Sequence, residues 1–108
     1  EALVDESAAI AGGALLLGGT VIGRGAEVGA GVRVDTSVIF DGVQIEAGAI
    51  VERCVIGAGA RIGARAQLTD CIIGEGAVVG ARCELRDGAR VWPGVQLPDG
   101  GLRFSSDI

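Results

Sequence analysis

The chain has 108 residues, a net charge of −5 and a pI of about 4.5, and all nine of its basic residues are arginine. That balance speaks against a nucleic-acid surface and against a polybasic membrane anchor. Aromatic residues make up 3% of the chain, too few for an ordinary core of large side chains, and no apolar run approaches the roughly 18 residues of a membrane span.

From the N-terminus, Glu1 to Ala9 reads as a weak first turn in which Val4 opens a column of branched aliphatics, and Ile10 to Val21 completes that coil. Full coils follow at Ile22 to Val38, Ile39 to Val55, Ile56 to Ile72 and Ile73 to Arg90, and Val91 to Gly101 begins a last one. The clearest stretch is Ile56 to Leu68, two six-residue units in tandem. Stepping by six, with an occasional five, a Val, Ile or Leu recurs at seventeen positions from Val4 to Leu97. Two places before each of them from Ile10 onward stands a residue no larger than valine, as at Ala26, Ser37, Cys54 and Ala66. A register of this length is a hexapeptide repeat.

Within each unit, small residue in, next residue out, aliphatic in, next residue out is the period-2 pattern of a short strand. Glycines at Gly13, Gly19, Gly25, Gly31, Gly42, Gly48, Gly59, Gly76, Gly88, Gly94 and Gly100 fall at the corners, where a positive φ is expected. Ile22, Ile39, Ile56 and Ile73 are each 17 residues apart and Val91 follows Ile73 by 18, which gives three strands per coil and a triangular prism of about six coils. The expected fold is all-β, a single domain over 1–108 with repeats over about 4–101, and all seventeen aliphatics are expected inside. The tail 102–108 leaves the pattern, and Leu102, Phe104 or Ile108 is expected to fold over the last coil to shield its edge. No methionine occurs, position 1 included, so the chain is expected to be a piece of a longer polypeptide.

Candidate chemistry is sparse. Cys54, Cys71 and Cys83 sit in the small-residue column and read as buried small hydrophobes; without a histidine or a C-x-x-C pair they do not read as a zinc site. Glycine clusters such as Gly57-Ala-Gly59 to Gly63 are one hexapeptide period and not phosphate loops, because no helix pattern follows them. Neither a catalytic nor a cofactor-binding residue is expected. Arg65 and Arg82 replace the corner glycine on successive coils, an arrangement that could hold an anion, with pairing to nearby Asp or Glu as the competing use.

Sorted by face, the outward residues differ. One face carries Glu27, Gln44, Arg61 and Gln96, another Arg33, Glu52, Gln67, Glu84 and Arg86, both ordinary solvated mixtures. The remaining face carries Val21, Val38, Val55 and Ile72 in a vertical ladder, with Phe40 and Trp92 beside it. Such a stripe is expected to be an interface, most simply in a homo-oligomer. The competing account is that β-branched residues suit strands wherever they point.

With that register in hand, the chain resembles the C-terminal left-handed β-helix of nucleotide-sugar pyrophosphorylases. The segments Gly18 to Gly23, Val38 to Gly42, Ile73 to Leu85, Arg90 to Val95 and Pro98 to Asp107 are similar to the mannose-1-phosphate guanylyltransferase branch, of an actinobacterial type. The resemblance implies the left-handed coil sense, which periodicity does not. It also implies an upstream catalytic domain, using Mg²⁺ to make a nucleotide-sugar and pyrophosphate, against which this segment packs as an assembly or regulatory element; with no membrane span or signal-peptide pattern in the chain, the expected location is the cytoplasm. No family catalytic residue has a counterpart here. A hexapeptide acyltransferase fragment and a free-standing scaffold are the alternatives.

Overall fold

The computed structural model describes residues 1–101. All regular structure among them is short parallel strand, arranged as three sheets that wrap one core. The first face stacks Leu3–Val4, Val21–Ile22, Val38–Ile39, Val55–Ile56, Ile72–Ile73 and Arg90–Val91 in that order. On the second face, Ala9–Ile10, Glu27–Val28, Gln44–Ile45, Arg61–Ile62, Val78–Val79 and Gln96–Leu97 stack in the same sense. The third has five strands, Leu15–Leu17, Arg33–Asp35, Ile50–Glu52, Gln67–Thr69 and Glu84–Leu85. Each strand pairs with its counterpart one coil away, Ile39 with Ile56 and Ile56 with Ile73, so the 17-residue step is the register of the middle coils, and it lengthens to 18 at the first and last, as Leu3 with Val21 and Ile72 with Arg90. This is the expected β-solenoid of roughly six turns.

Alternation along each short strand produces the core. From Ile22 to Val91 every inward aliphatic is at most 2% exposed, and the small residues two places earlier are sealed beside it. Each buried aliphatic contributes about 1.5 to 3 kcal/mol in gross terms, which the ordering of the backbone largely offsets. One expectation is corrected at the N-terminal end. Val4 and Ile10 are 41% and 37% exposed and Leu16 is only half-buried, because no coil stacks before theirs. The tail 102–108, with Leu102, Phe104 and Ile108, lies outside the described residues.

Ten of the eleven expected corner glycines have positive φ; the exception is Gly19, whose role falls to Gly18 at φ 64°. The strand Leu15–Leu17 is three residues long, which moves the turn back by one, and a Cβ at Gly18 would lie 2.3 Å from the Thr36 hydroxyl. Positive φ is also adopted by Thr36, Arg53, Arg65, Asp70, Arg82 and Asp87, a conformation non-glycine residues seldom take. Inter-coil hydrogen bonds hold several of them: Arg53 N–H donates to Asp35 O at 2.9 Å, and Asp70 N–H to Glu52 O at 3.0 Å.

A polar ladder runs up the corner between the third and first faces. In a six-residue step the N–H of the small residue donates to the carbonyl three places back, as Ala89 does to Arg86. At Val34 to Ile39, Val51 to Ile56 and Leu68 to Ile73 the step is five, and the N–H turns instead to the side chain one coil earlier. Ser37 N–H donates to Thr20 Oγ1 at 3.3 Å, Cys54 N–H to Ser37 Oγ at 3.0 Å, and Cys71 N–H to Cys54 Sγ at 3.4 Å. Each of these side chains donates its own proton to a backbone carbonyl of its coil, Thr20 to Leu17 and Ser37 to Asp35. No buried side-chain polar atom is left without a partner among the described residues. Ser37→Ala orphans the buried Cys54 N–H, and we expect a loss of about 1 to 3 kcal/mol in denaturant titration. Ser37→Cys should lose less, since the Cys54 thiol accepts the equivalent bond in the next coil.

Candidate interaction face

On the first face the outward residues lie in one column. Val21 is paired with Val38, Val38 with Val55, Val55 with Ile72, and Ile72 with Arg90. The column extends below Val21 to Leu3, 72% exposed, which precedes Val4 as Val21 precedes Ile22 and is missing from the expected ladder. Val38 is half-buried; Val21, Val55 and Ile72 are exposed. Five aliphatics are thus followed by a single cation, Arg90.

Two residues along each strand runs a second column, Asp5, Gly23, Phe40, Gly57, Gly74 and Trp92. Phe40 and Trp92 are 47% and 55% exposed and stand three coils apart, about 14 Å by strand spacing. The floor between them is glycine. A Cβ at Gly57 would lie 2.7 Å from Glu75 N and one at Gly74 2.4 Å from Pro93 N, so the backbone there admits no side chain. Beside Trp92 this leaves a mostly apolar notch of about 320 Å³ lined by Ile72, Gly74, Arg90, Val91, Trp92 and Pro93.

Elsewhere four of the eight arginines among the described residues make ion pairs with carboxylates. Arg61 meets Glu46 at 3.2 Å across a shallow groove of about 420 Å³ on the second face. Arg33 meets Glu52 at 3.5 Å, and Arg53 makes two hydrogen bonds to Asp70, which hold that carboxyl below the usual carboxylate range. Arg65 and Arg82 occupy one corner column as expected, at φ 60° and 62°. The expected pairing with a carboxylate is corrected: among the described residues neither makes an ion pair.

The three cysteines are buried and unbridged. Contact with the Cys71 side chain, and then burial, push the Cys54 thiol above the ordinary thiol range. Among the described residues no three of Cys, Asp and Glu converge as a metal donor set. Likewise, no helix there is long and apolar enough to cross a membrane.

Comparison with known proteins agrees with this geometry. A family model described as the GMPPB C-terminal domain matches residues 1–99. A curated relative, mannose-1-phosphate guanylyltransferase of Mycobacterium tuberculosis, is 67% identical over 108 residues, all of this chain and 30% of its own length. Among solved structures, a hexapeptide transferase family protein from Anaplasma phagocytophilum superposes with a TM-score of 0.62 at 23% identity, over 96% of this chain and 70% of its own. The acetyltransferase domain of PglB from Neisseria gonorrhoeae gives 0.64 at 27% identity, over 100% of this chain and 51% of its own. The coil architecture is that of the left-handed β-helix.

Proposed function

Because the chain belongs to the GMPPB C-terminal domain family, we propose that it is the non-catalytic assembly domain of a nucleotidyltransferase that makes GDP-mannose and pyrophosphate from GTP and mannose 1-phosphate. The observation that carries this reading is 67% identity along the whole chain to an enzyme of that name, of which the chain spans 30%. The likeness to a hexapeptide transferase and to an acetyltransferase domain is a likeness of coil shape at 23 to 27% identity, and this chain has no histidine to serve as a general base. Nucleotide, sugar phosphate and Mg²⁺ are then handled by the remainder of the longer protein.

Two surfaces support an assembly role. The open first coil, with Val4, Ile10 and Leu16 uncovered, is an apolar end that a catalytic domain would close. The aliphatic ladder with Phe40 and Trp92 is the face for a second subunit. Arg65 and Arg82, both exposed cations, are where an anionic effector would be held if the domain also regulates. Unbridged Cys54 and Cys71 on adjacent coils fit a reducing cytoplasm, and the acidic chain offers no surface to nucleic acid. Val55→Glu should leave the far-UV spectrum and melting transition intact while lowering the assembled mass in light scattering. An unchanged mass would remove the ladder from the interface.

A further inference from the structure

We propose that the first face pairs with the same face of a second copy with the coil order reversed, about a two-fold axis parallel to the strands. This rests on the assembly reading above and adds its register. Rotation about the strand direction keeps every column on itself and sets coil one against coil six, two against five and three against four. Three independent columns then become complementary.

In the glycine-floored column, Phe40 of the third coil meets Gly57 of the fourth, which presents no side chain to it. Trp92 of the sixth coil meets the first coil at Asp5. In the ladder, Val38 meets Val55 and Val21 meets Ile72, while Arg90 comes over Leu3 within reach of Asp5. One residue beyond the glycine floor, Arg24 of the second coil meets Glu75 of the fifth, two charges that make no ion pair within the chain among the described residues. Such isologous contacts occur twice in a two-fold pair.

An arrangement that keeps coil order, whether a two-fold or a three-fold parallel to the prism axis, brings like coils together. It sets Arg90 beside Arg90 and offers neither Phe40 a glycine nor Arg24 a carboxylate. Coil reversal also sends the two open first coils to opposite ends, so bodies packed on them do not collide. Six strands about 4.8 Å apart across a face about 20 Å wide cover on the order of 500 Å² per copy, less than the roughly 800 Å² of a standard interface. The pairing through this face alone is therefore expected to depend on concentration.

The test uses cysteine variants in the full-length polypeptide that carries this chain, cross-linked by a short bismaleimide and read by mass spectrometry of the joined peptides; the three native thiols of this chain are buried. An equimolar mixture of Val21→Cys and Ile72→Cys proteins should give the joint between positions 21 and 72, and Val21→Cys alone should give little joint to itself. Arg24→Glu should weaken self-association about tenfold, and Arg24→Glu with Glu75→Arg should restore it. Strong joining of position 21 to position 21, with assembly intact, would overturn coil reversal and leave the assembly reading standing. A protein that stays monomeric at all concentrations, with no joint of either kind, would overturn both.

Discussion

Ile62→Asp is expected to abolish the cooperative thermal transition of this chain. Ile62 lies on the fourth coil and is fully buried, with Ile45 below it and Val79 above it in the same sheet. The substitution removes an aliphatic worth about 1.5 to 3 kcal/mol and places a carboxyl where no polar partner waits. Such a group either stays charged at a cost of many kcal/mol or takes up a proton, its pKa driven upward, and still lacks a hydrogen-bond partner. Either outcome exceeds the 5 to 15 kcal/mol range of a small domain's stability once the broken stacking of neighbouring coils is added. A calorimetric scan at neutral pH checks it: the expected trace has no sharp endotherm. If one survives within a few degrees of the unmodified protein, Ile62 is not in the core.

Gly63→Ala is expected to be nearly as damaging although it adds only a methyl group. Gly63 has no need of positive φ; its constraint is space. A Cβ there would stand 2.4 Å from Ala81 N and 2.6 Å from Gly80 C, backbone atoms of the next coil that are tied into the solenoid. Relief requires two coils to separate locally, which strains the hydrogen bond from Gly63 N–H to Val79 O at 2.7 Å. We expect a loss of about 3 kcal/mol or more, at the upper end of overpacking effects. By contrast Gly59→Ala, where a Cβ meets open space, should cost only the strain of a positive φ, about 1 to 2 kcal/mol. Denaturant titration of the two variants side by side checks the ranking.

The solenoid is legible in the sequence because its signal is redundant. Ile22, Ile39, Ile56 and Ile73 each repeat the same instruction, and an error at one position cannot shift the others. The corner at Gly18 is misplaced to Gly19 because two adjacent glycines leave it undefined until the length of the preceding strand is known. Thr20, Ser37, Cys54 and Cys71 are inside as expected, but their hydrogen-bond ladder follows from the five-residue steps, whose turns lack the usual carbonyl acceptor. The spacing carries that signal only to a reader who asks where each N–H of a shortened turn must go.

The aliphatic ladder is readable from period-2 alternation alone, and Leu3, which precedes Val4 as Val21 precedes Ile22, belongs to it by the same rule. Whether Arg65 and Arg82 meet a carboxylate depends on side-chain reach across columns, which no spacing rule encodes. What the face binds is a further step again. A monomer's sequence records complementarity between columns only after the coils have been aligned.

The most direct measurement is pyrophosphate release from GTP and mannose 1-phosphate by the full-length polypeptide that carries this chain, run beside the isolated 1–108 segment. Turnover is expected from the longer protein and none from the segment. Turnover by the segment alone, or a longer protein that transfers an acyl group from coenzyme A and leaves GTP untouched, would contradict it.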